Sequence, residues 1–219
     1  MTRILGGRRF YEVFEANFKS IFPTPRIIEK KICEQSEPVI EGRINAAELL
    51  KYLKDNGCPL VVSIAADGTA IQTRPEYCSS RNSLLGLDLP LSANGFPDSR
   101  SSVVEDASAI ANLLVQCKSS TSVIVFMAQP LSDLLAPFRL CCFGTGNTYT
   151  AYDVQQRVHS IEHELRLHGI RMLTYAADGD SKEMKYMRYQ LQLGLSIDLS
   201  GNFFFFFHNL SQLETIITS

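Results

Sequence analysis

Two aspartates, Asp67 and Asp178, share one local setting in this sequence. Each follows an apolar run through a pair of alanines, Ala65-Ala66 and Ala176-Ala177, and each precedes a glycine. In open sheets with parallel strands, ligands gather at the carboxyl ends of the strands. If these two strands are parallel neighbours, both carboxylates meet at one edge of the sheet. With Asp180 two residues further on, they offer hard anionic oxygens suited to Mg²⁺ or Mn²⁺. Two such ions ~3.5–4 Å apart can clamp the attacking and leaving oxygens of a phosphodiester. A plainer account of the same residues stands beside this one: Asp-Gly after a strand is turn chemistry, and Asp is a frequent helix N-cap.

Other chemistry-bearing patterns are weaker. Residues 159–163 read His-Ser-Ile-Glu-His, the H-x-x-E-H spacing of inverted zinc peptidases. The helix that carries it has its apolar stripe at Val154, Val158, Ile161 and Leu165, which puts His159 and His163 on the solvent side with no third ligand. Phe143-Gly-Thr-Gly-Asn147 has two glycines of a phosphate loop but lacks the third and the lysine, so it reads as a loop. Gly179-Asp-Ser-Lys182 reads as a capped helix start, with anion binding through backbone N–H groups as the alternative. Ser63, Ser181 and the cysteines have no adjacent His/Asp partner that would make a nucleophile.

The elements that must position the aspartates follow from periodicity and turn chemistry. A short helix is expected around 8–19, followed by a linker broken by Pro23, Pro25 and Pro38. Asn45-Ala-Ala-Glu48 is a capping-box pattern opening a helix to about Asn56, with Gly57 as its stop. Leu60–Ala66 reads as a strand buried on both faces. It runs on through Asp67 toward Tyr77 and returns as Ser83–Asp88 in an antiparallel hairpin. Residues 90–101 are a loop. Ser102-Val-Val-Glu105 is a second capping box, opening a helix to about Cys117. A third strand spans Thr121–Met127, and residues 129–150 read as loop with an apolar piece at 138–143. A helix over Asp153–His168 ends at Gly169, a fourth strand covers Ile170–Ala177, and a last helix runs from Lys182 to about Gln192, ended by Gly194. A helix crossing between strands three and four lets strand four lie parallel in the same sheet.

Composition sets the bounds. The chain has 219 residues, 21 Lys+Arg against 23 Asp+Glu, a net charge of −2, 45% hydrophobic residues and no Trp. That is a globular composition without the basic footprint of non-specific nucleic-acid binding. No run of ~18 apolar residues is present for a membrane span, and the N-terminus has no apolar core of a signal peptide. An intracellular protein is expected. The six cysteines, at 33, 58, 78, 117, 141 and 142, form no C-x-x-C pair and read as reduced, buried thiols. A small-molecule substrate is not expected; self-association is open.

Asp67-Gly-Thr-Ala-Ile71, Glu76-Tyr77 and Asn82-Ser-Leu-Leu-Gly86 resemble the first catalytic strand and hairpin of the RNase H-like domain in P-element and THAP-type transposases. Val125-Phe-Met127 and Gly169–Gly179 resemble that family's third and fourth strands. The likeness covers about residues 58–195. It implies an α/β fold: an RNase H-like mixed sheet of antiparallel hairpin strands plus a parallel strand, flanked by helices. It also implies Mg²⁺- or Mn²⁺-dependent DNA strand cleavage and transfer, with DNA as partner and a nuclear location. Asp67 and Asp178 fall on the family's first two catalytic, metal-binding acids. Asp180 is an extra candidate metal ligand. The third acid, a glutamate on a later helix, has no counterpart: Glu183 is too near Asp178 and Glu214 lies in an unconvincing tail. The fold is expected to be incomplete and the chain inactive, or else a non-catalytic interaction scaffold of the same fold. The expected organisation is a helical segment and linker at 1–57, the α/β domain at 58–195 and a tail at 196–219. That tail holds five consecutive phenylalanines, Phe203–Phe207. It reads as non-native sequence from a translated pyrimidine tract or as disordered, unless the run is a genuine buried element.

Overall fold

The computed structural model describes residues 40–190 apart from 80, 133 and 134, isolated residues before them (13, 16, 17, 24 and 27), and the backbone of 204–207. Most of the expected helix at 8–19 and of the proline-broken linker, with Cys33, the stop at Gly194, Glu214 and most of the tail, lie outside the described residues. The chain divides into two compact units, Met1–Val39 and Ile40–Ser219.

The second unit is an α/β fold built on a mixed sheet. Its elements in chain order are α1 (Ala46–Asp55), β1 (Val61–Ala70), β2 (Glu76–Cys78), β3 (Ser83–Leu85), a 3₁₀ turn (Ser99–Ser102), α2 (Ala107–Gln116), β4 (Ser122–Pro130), β5 (Phe138–Thr145), α3 (Ala151–Leu167), β6 (Arg171–Ala177), α4 (Ser181–Gln190) and β7 (Phe204–Phe207). The sheet order is β5-β4-β1-β6-β7. β1 pairs antiparallel with β4 and β4 antiparallel with β5. β1 and β6 are the parallel pair, and α3 makes the crossover that a parallel neighbour requires. The backbone of Phe204–Phe207 pairs antiparallel with β6, from Ala177↔Phe204 to Thr174↔Phe207.

The expected parallel fourth strand is present. Three local expectations are corrected. β1 is buried on one face only: Val62, Ile64 and Ala66 enter the core, whereas Ser63 is half-buried and Ala65 exposed. Its β-branched run reflects half-buried pleating rather than burial on both sides. The hairpin return does not pair with β1. β2 and β3 form their own two-stranded ladder, and the true antiparallel partner of β1 is β4. The stretch 138–145 is a full strand, β5, hidden from periodicity by Cys141-Cys142-Phe143-Gly144, where apolar residues run without alternation.

Capping explains the helix boundaries. α1 starts after Asn45 without a side-chain cap and ends at Gly57, whose φ of 62° suits glycine. The box read at Ser102–Glu105 is not used. Ser102 closes a 3₁₀ turn, and α2 begins four residues later than expected because Asp106 accepts from the Ala109 N–H. α3 carries a reciprocal box: Thr150 receives the Asp153 N–H, and the Asp153 carboxylate receives the Thr150 N–H at 2.7 Å.

One face of the sheet packs against α1 and α3. Leu49 and Leu53 of α1 and Val154, Val158, Ile161 and Leu165 of α3 meet Val62, Ile64, Phe126 and Tyr175 in a single core. His159 and His163 are exposed, as the stripe requires. Phe96, carried by the long connection after β3, enters this core edge-on to Phe126 and Phe143. Of the five described cysteines, Cys141 is fully buried and the other four are half-buried.

Gly95 is what lets that loop close. Its φ is 76°, and a Cβ there would collide with the Asp153 carbonyl and press on the Arg157 backbone. Gly57 also has a positive φ but open space around it. Urea unfolding should therefore separate two alanine variants. Gly57→Ala is expected to cost about 1 kcal/mol for the left-handed backbone alone. Gly95→Ala should cost roughly 3 kcal/mol or more, since backbone must also move.

Candidate functional site

The register of the central pair decides where the two aspartates lie. Ala65 pairs with Ala176 and Ala66 with Ala177 in the parallel ladder. Asp67 and Asp178 thus occupy the next step of two adjacent strands, whose spacing is ~4.8 Å. Asp67 lies inside β1, opposite Val125 of β4, because the strand runs on past it to Ala70. Asp178 leaves β6 and begins the turn into α4. Both are exposed, and Asp180 is half-buried.

These residues border one cleft of about 120 Å³. Its walls carry four acids, Asp67, Asp178, Asp180 and Glu183, with Ser122, Asn147 and Tyr149 facing them. The sequence predicted three of the four together. Glu183, set aside for its closeness to Asp178, joins them because a helix start folds back on the strand end it follows. Lys182 spans the cleft rim, donating to the Asn147 carbonyl at 2.8 Å with its ammonium 4.1 Å from the Tyr149 ring centre.

Each acid already has a local task. The Asp67 carboxylate is 3.5 Å from the Thr69 hydroxyl, at the limit of a hydrogen bond. By strand alternation it lies on the opposite face from Ala66. Asp178 accepts from the Asp180 N–H at 3.1 Å. Asp180 accepts from the Lys182 N–H at 2.8 Å, capping α4. Glu183 sits in the first turn of α4, 5% exposed. It accepts from the Tyr175 hydroxyl at 2.8 Å. Burial pushes its carboxyl up to about 7, and the Asp180 and Asp178 charges push the same way, while Tyr175 and Arg157 oppose them.

Donor chemistry can be tested on this arrangement. A two-ion centre needs several carboxylates converging on shared cations. Among the described residues, no group of three or more His, Cys, Asp or Glu is disposed to hold a metal ion. Asp180 gives one carboxylate oxygen to its helix and Glu183 gives one to Tyr175, while Asp67 and Asp178 occupy adjacent strand positions. The donor set fits at most one weakly held divalent ion and does not fit a two-ion centre.

Beneath the cleft lies a residue that sequence patterning missed. Arg157 falls among the apolar positions of α3 and is 1% exposed. Its Nε donates to the Gly95 carbonyl at 2.6 Å. Its guanidinium lies 4.3 Å from the Tyr149 ring centre and 5.0 Å from that of Phe143. The remaining two guanidinium nitrogens have no hydrogen-bond partner in the structure. Burial lowers its basicity, and the nearby Tyr149 and Glu183 restore part of it. The sequence signal was its helical position: Arg157 lies three residues after Val154 and four before Ile161, on the same face as the apolar stripe.

No protein-family model, curated protein or solved structure matches the chain. No described helix is long and apolar enough to cross a membrane.

Glu183 gives this site a measurable pH signature. Its carboxyl titrates near 4.5 in an unfolded chain and at about 7 when folded. The fold therefore binds the proton more tightly, and this contribution, full below about 4.5, is lost as pH rises through about 7. The difference corresponds to roughly 3 kcal/mol. Glu183→Gln keeps an acceptor for Tyr175 and has nothing to ionise. Urea unfolding at pH 4.5 should find the variant close to the parent, and at pH 8 more stable by up to that amount. A variant less stable at pH 8 would mean that the ionised carboxylate is net stabilised in the fold by Arg157 and Tyr175.

Proposed function

We propose that residues 58–195 form an RNase H-like domain of transposase ancestry that has kept the architecture of a polynucleotidyl transferase without its chemistry. One observation carries the reading: the Ala66↔Ala177 parallel register brings Asp67 and Asp178 to adjacent positions over one cleft. The strand order β5-β4-β1-β6, with its single parallel pair, supports the same ancestry. The motifs around Asp67 and Asp178 support it independently. Because fold alone does not confer function, the chemistry must be argued from the cleft.

The cleft argues against strand cleavage by this chain. Phosphoryl transfer through two ions requires carboxylates that hold both metals and neutralise developing charge. Here Asp67 and Asp178 would hold a single Mg²⁺ or Mn²⁺, with Asp180 as a marginal third ligand. A bound ion would supply Lewis-acid charge at the cleft. Without it, the carboxylates of Asp67, Asp178 and Asp180 face any approaching phosphate and repel it. The domain therefore acts as a scaffold for protein contacts, and DNA is not its partner in this form.

Isothermal titration with Mn²⁺ tests this. A two-carboxylate site should bind no more tightly than roughly 1 mM, the weak end of oxygen-ligand sites. Asp67→Asn and Asp178→Asn should each abolish what remains. Saturable binding in the tens of micromolar, lost in both variants, would overturn the scaffold reading and restore the enzyme.

A further inference from the structure

Helix α2 is unlike the other helices of this fold. None of its ten residues, Ala-Ser-Ala-Ile-Ala-Asn-Leu-Leu-Val-Gln, is charged, and none is fully buried. Its inner side is accounted for: Ala109, Ile110, Leu113 and the following Cys117 rest half-buried on Leu84, Leu87, Leu89 and Val104. Its outer side is apolar too. Ala107 and Ala111 are exposed, Leu114 is 47% exposed and Val115 is 87% exposed. An amphipathic surface helix needs one apolar stripe. This one has a second, pointing away from the core.

We propose that the outer face of α2 is a self-association surface, on which two copies of this chain pack α2 against α2, antiparallel, about a two-fold axis. Three features of the helix carry the choice of occupant. First, positions 107, 111 and 114 recur at helical spacing, with Val115 beside them, and form a continuous seam of the kind that packs on another helix. Second, the seam is small at its N-terminal half (Ala107, Ala111) and large at its C-terminal half (Leu114, Val115). Running antiparallel, each copy sets its alanines against the partner's leucine and valine, so volume is complementary; running parallel, large meets large. Third, the seam is bounded by exposed Glu105 before its start and exposed Lys118 beyond its end. Antiparallel packing brings unlike charges together at both ends, and a two-fold axis makes each contact twice. Parallel packing would oppose Glu to Glu and Lys to Lys.

The extent of the surface fixes the strength. A ten-residue helix is ~15 Å long, so the seam alone buries less than the ~1,000 Å² of a durable interface. The pair is a weak, reversible dimer. This inference does not depend on the ancestry of the fold or on any chemistry in the acidic cleft.

Sedimentation velocity of the full chain, from about 10 µM to about 1 mM, reads the equilibrium. A concentration-dependent shift from monomer to dimer is expected. Val115→Glu, at a position exposed in the monomer, should raise the dissociation constant at least about tenfold while leaving the melting temperature unchanged, because it buries unpaired charge only in the dimer. Lys118→Glu should weaken association severalfold, and adding Glu105→Lys to it should restore it. This charge exchange tests the register even if the valine variant fails to fold. The proposal is overturned by a chain that stays monomeric across the range or by a dimer indifferent to Val115→Glu. It is equally overturned by a Val115→Glu variant whose monomer melts lower, which would mean that the chain's own residues cover the face.

Discussion

The parallel pairing of β1 with β6 is the constraint on which the rest of this fold depends. Two strands of one sheet can run parallel only if the chain crosses back over a face between them. Here α3 does so, and its stripe of Val154, Val158, Ile161 and Leu165 is what seals the crossing against Val62, Ile64 and Tyr175. Once that helix is seated, the register of the strands is no longer free. A slip of one residue would turn Ala66 and Ala177 out of the core, and the two acids that follow them would move with it. The cleft is thus a by-product of core packing before it is anything else.

The same packing accounts for the charged residues beneath the sheet. Arg157 lies on the buried side of α3, where a leucine would be simpler, and is held by the Gly95 carbonyl and two aromatic rings. Gly95 can make this contact because the loop turns through a left-handed backbone where no side chain fits. Burying a guanidinium is costly unless its surroundings compensate. The aromatic faces, the carbonyl and the nearby Glu183 each do part of this, which ties the long loop after β3, the crossover helix and the wall of the acidic cleft into one polar cluster.

That cluster also limits the cleft. Four carboxyl groups around so small a space repel one another, and the structure relieves this in three ways. Asp180 turns to the helix N-terminus, where backbone N–H groups favour negative charge. Glu183 withdraws to Tyr175 and holds its proton to near neutrality. Asp67 stays on the exposed face of β1. Each solution stabilises the free protein by removing an oxygen from the shared space. A site built to grip cations would keep those oxygens pointed inward and tolerate the repulsion until metal arrived.

The sequence by itself determined the pieces whose cause is local. The apolar stripe of α3, the glycine stops at Gly57 and Gly169, the strand ending in Ala176-Ala177 and the exposure of His159 and His163 all follow from periodicity and turn chemistry within one element. The parallel placement of β6 followed from the same pattern, because a helix between two strands leaves little alternative. Only the tertiary structure decided the partners of β1, the existence of β5 and the admission of Glu183 to the cleft. These share one physical reason. Which strand accepts a hydrogen bond, and which charged group is carried inside, depends on residues tens of positions apart meeting in the core, and the local pattern around each carries no trace of that meeting. The acids at 67 and 178 lie between the two cases. Their types and settings were legible in the chain, but whether they stand side by side, and how many of their neighbours stay free to bind, was fixed by the sheet register and by the helix that begins where β6 ends.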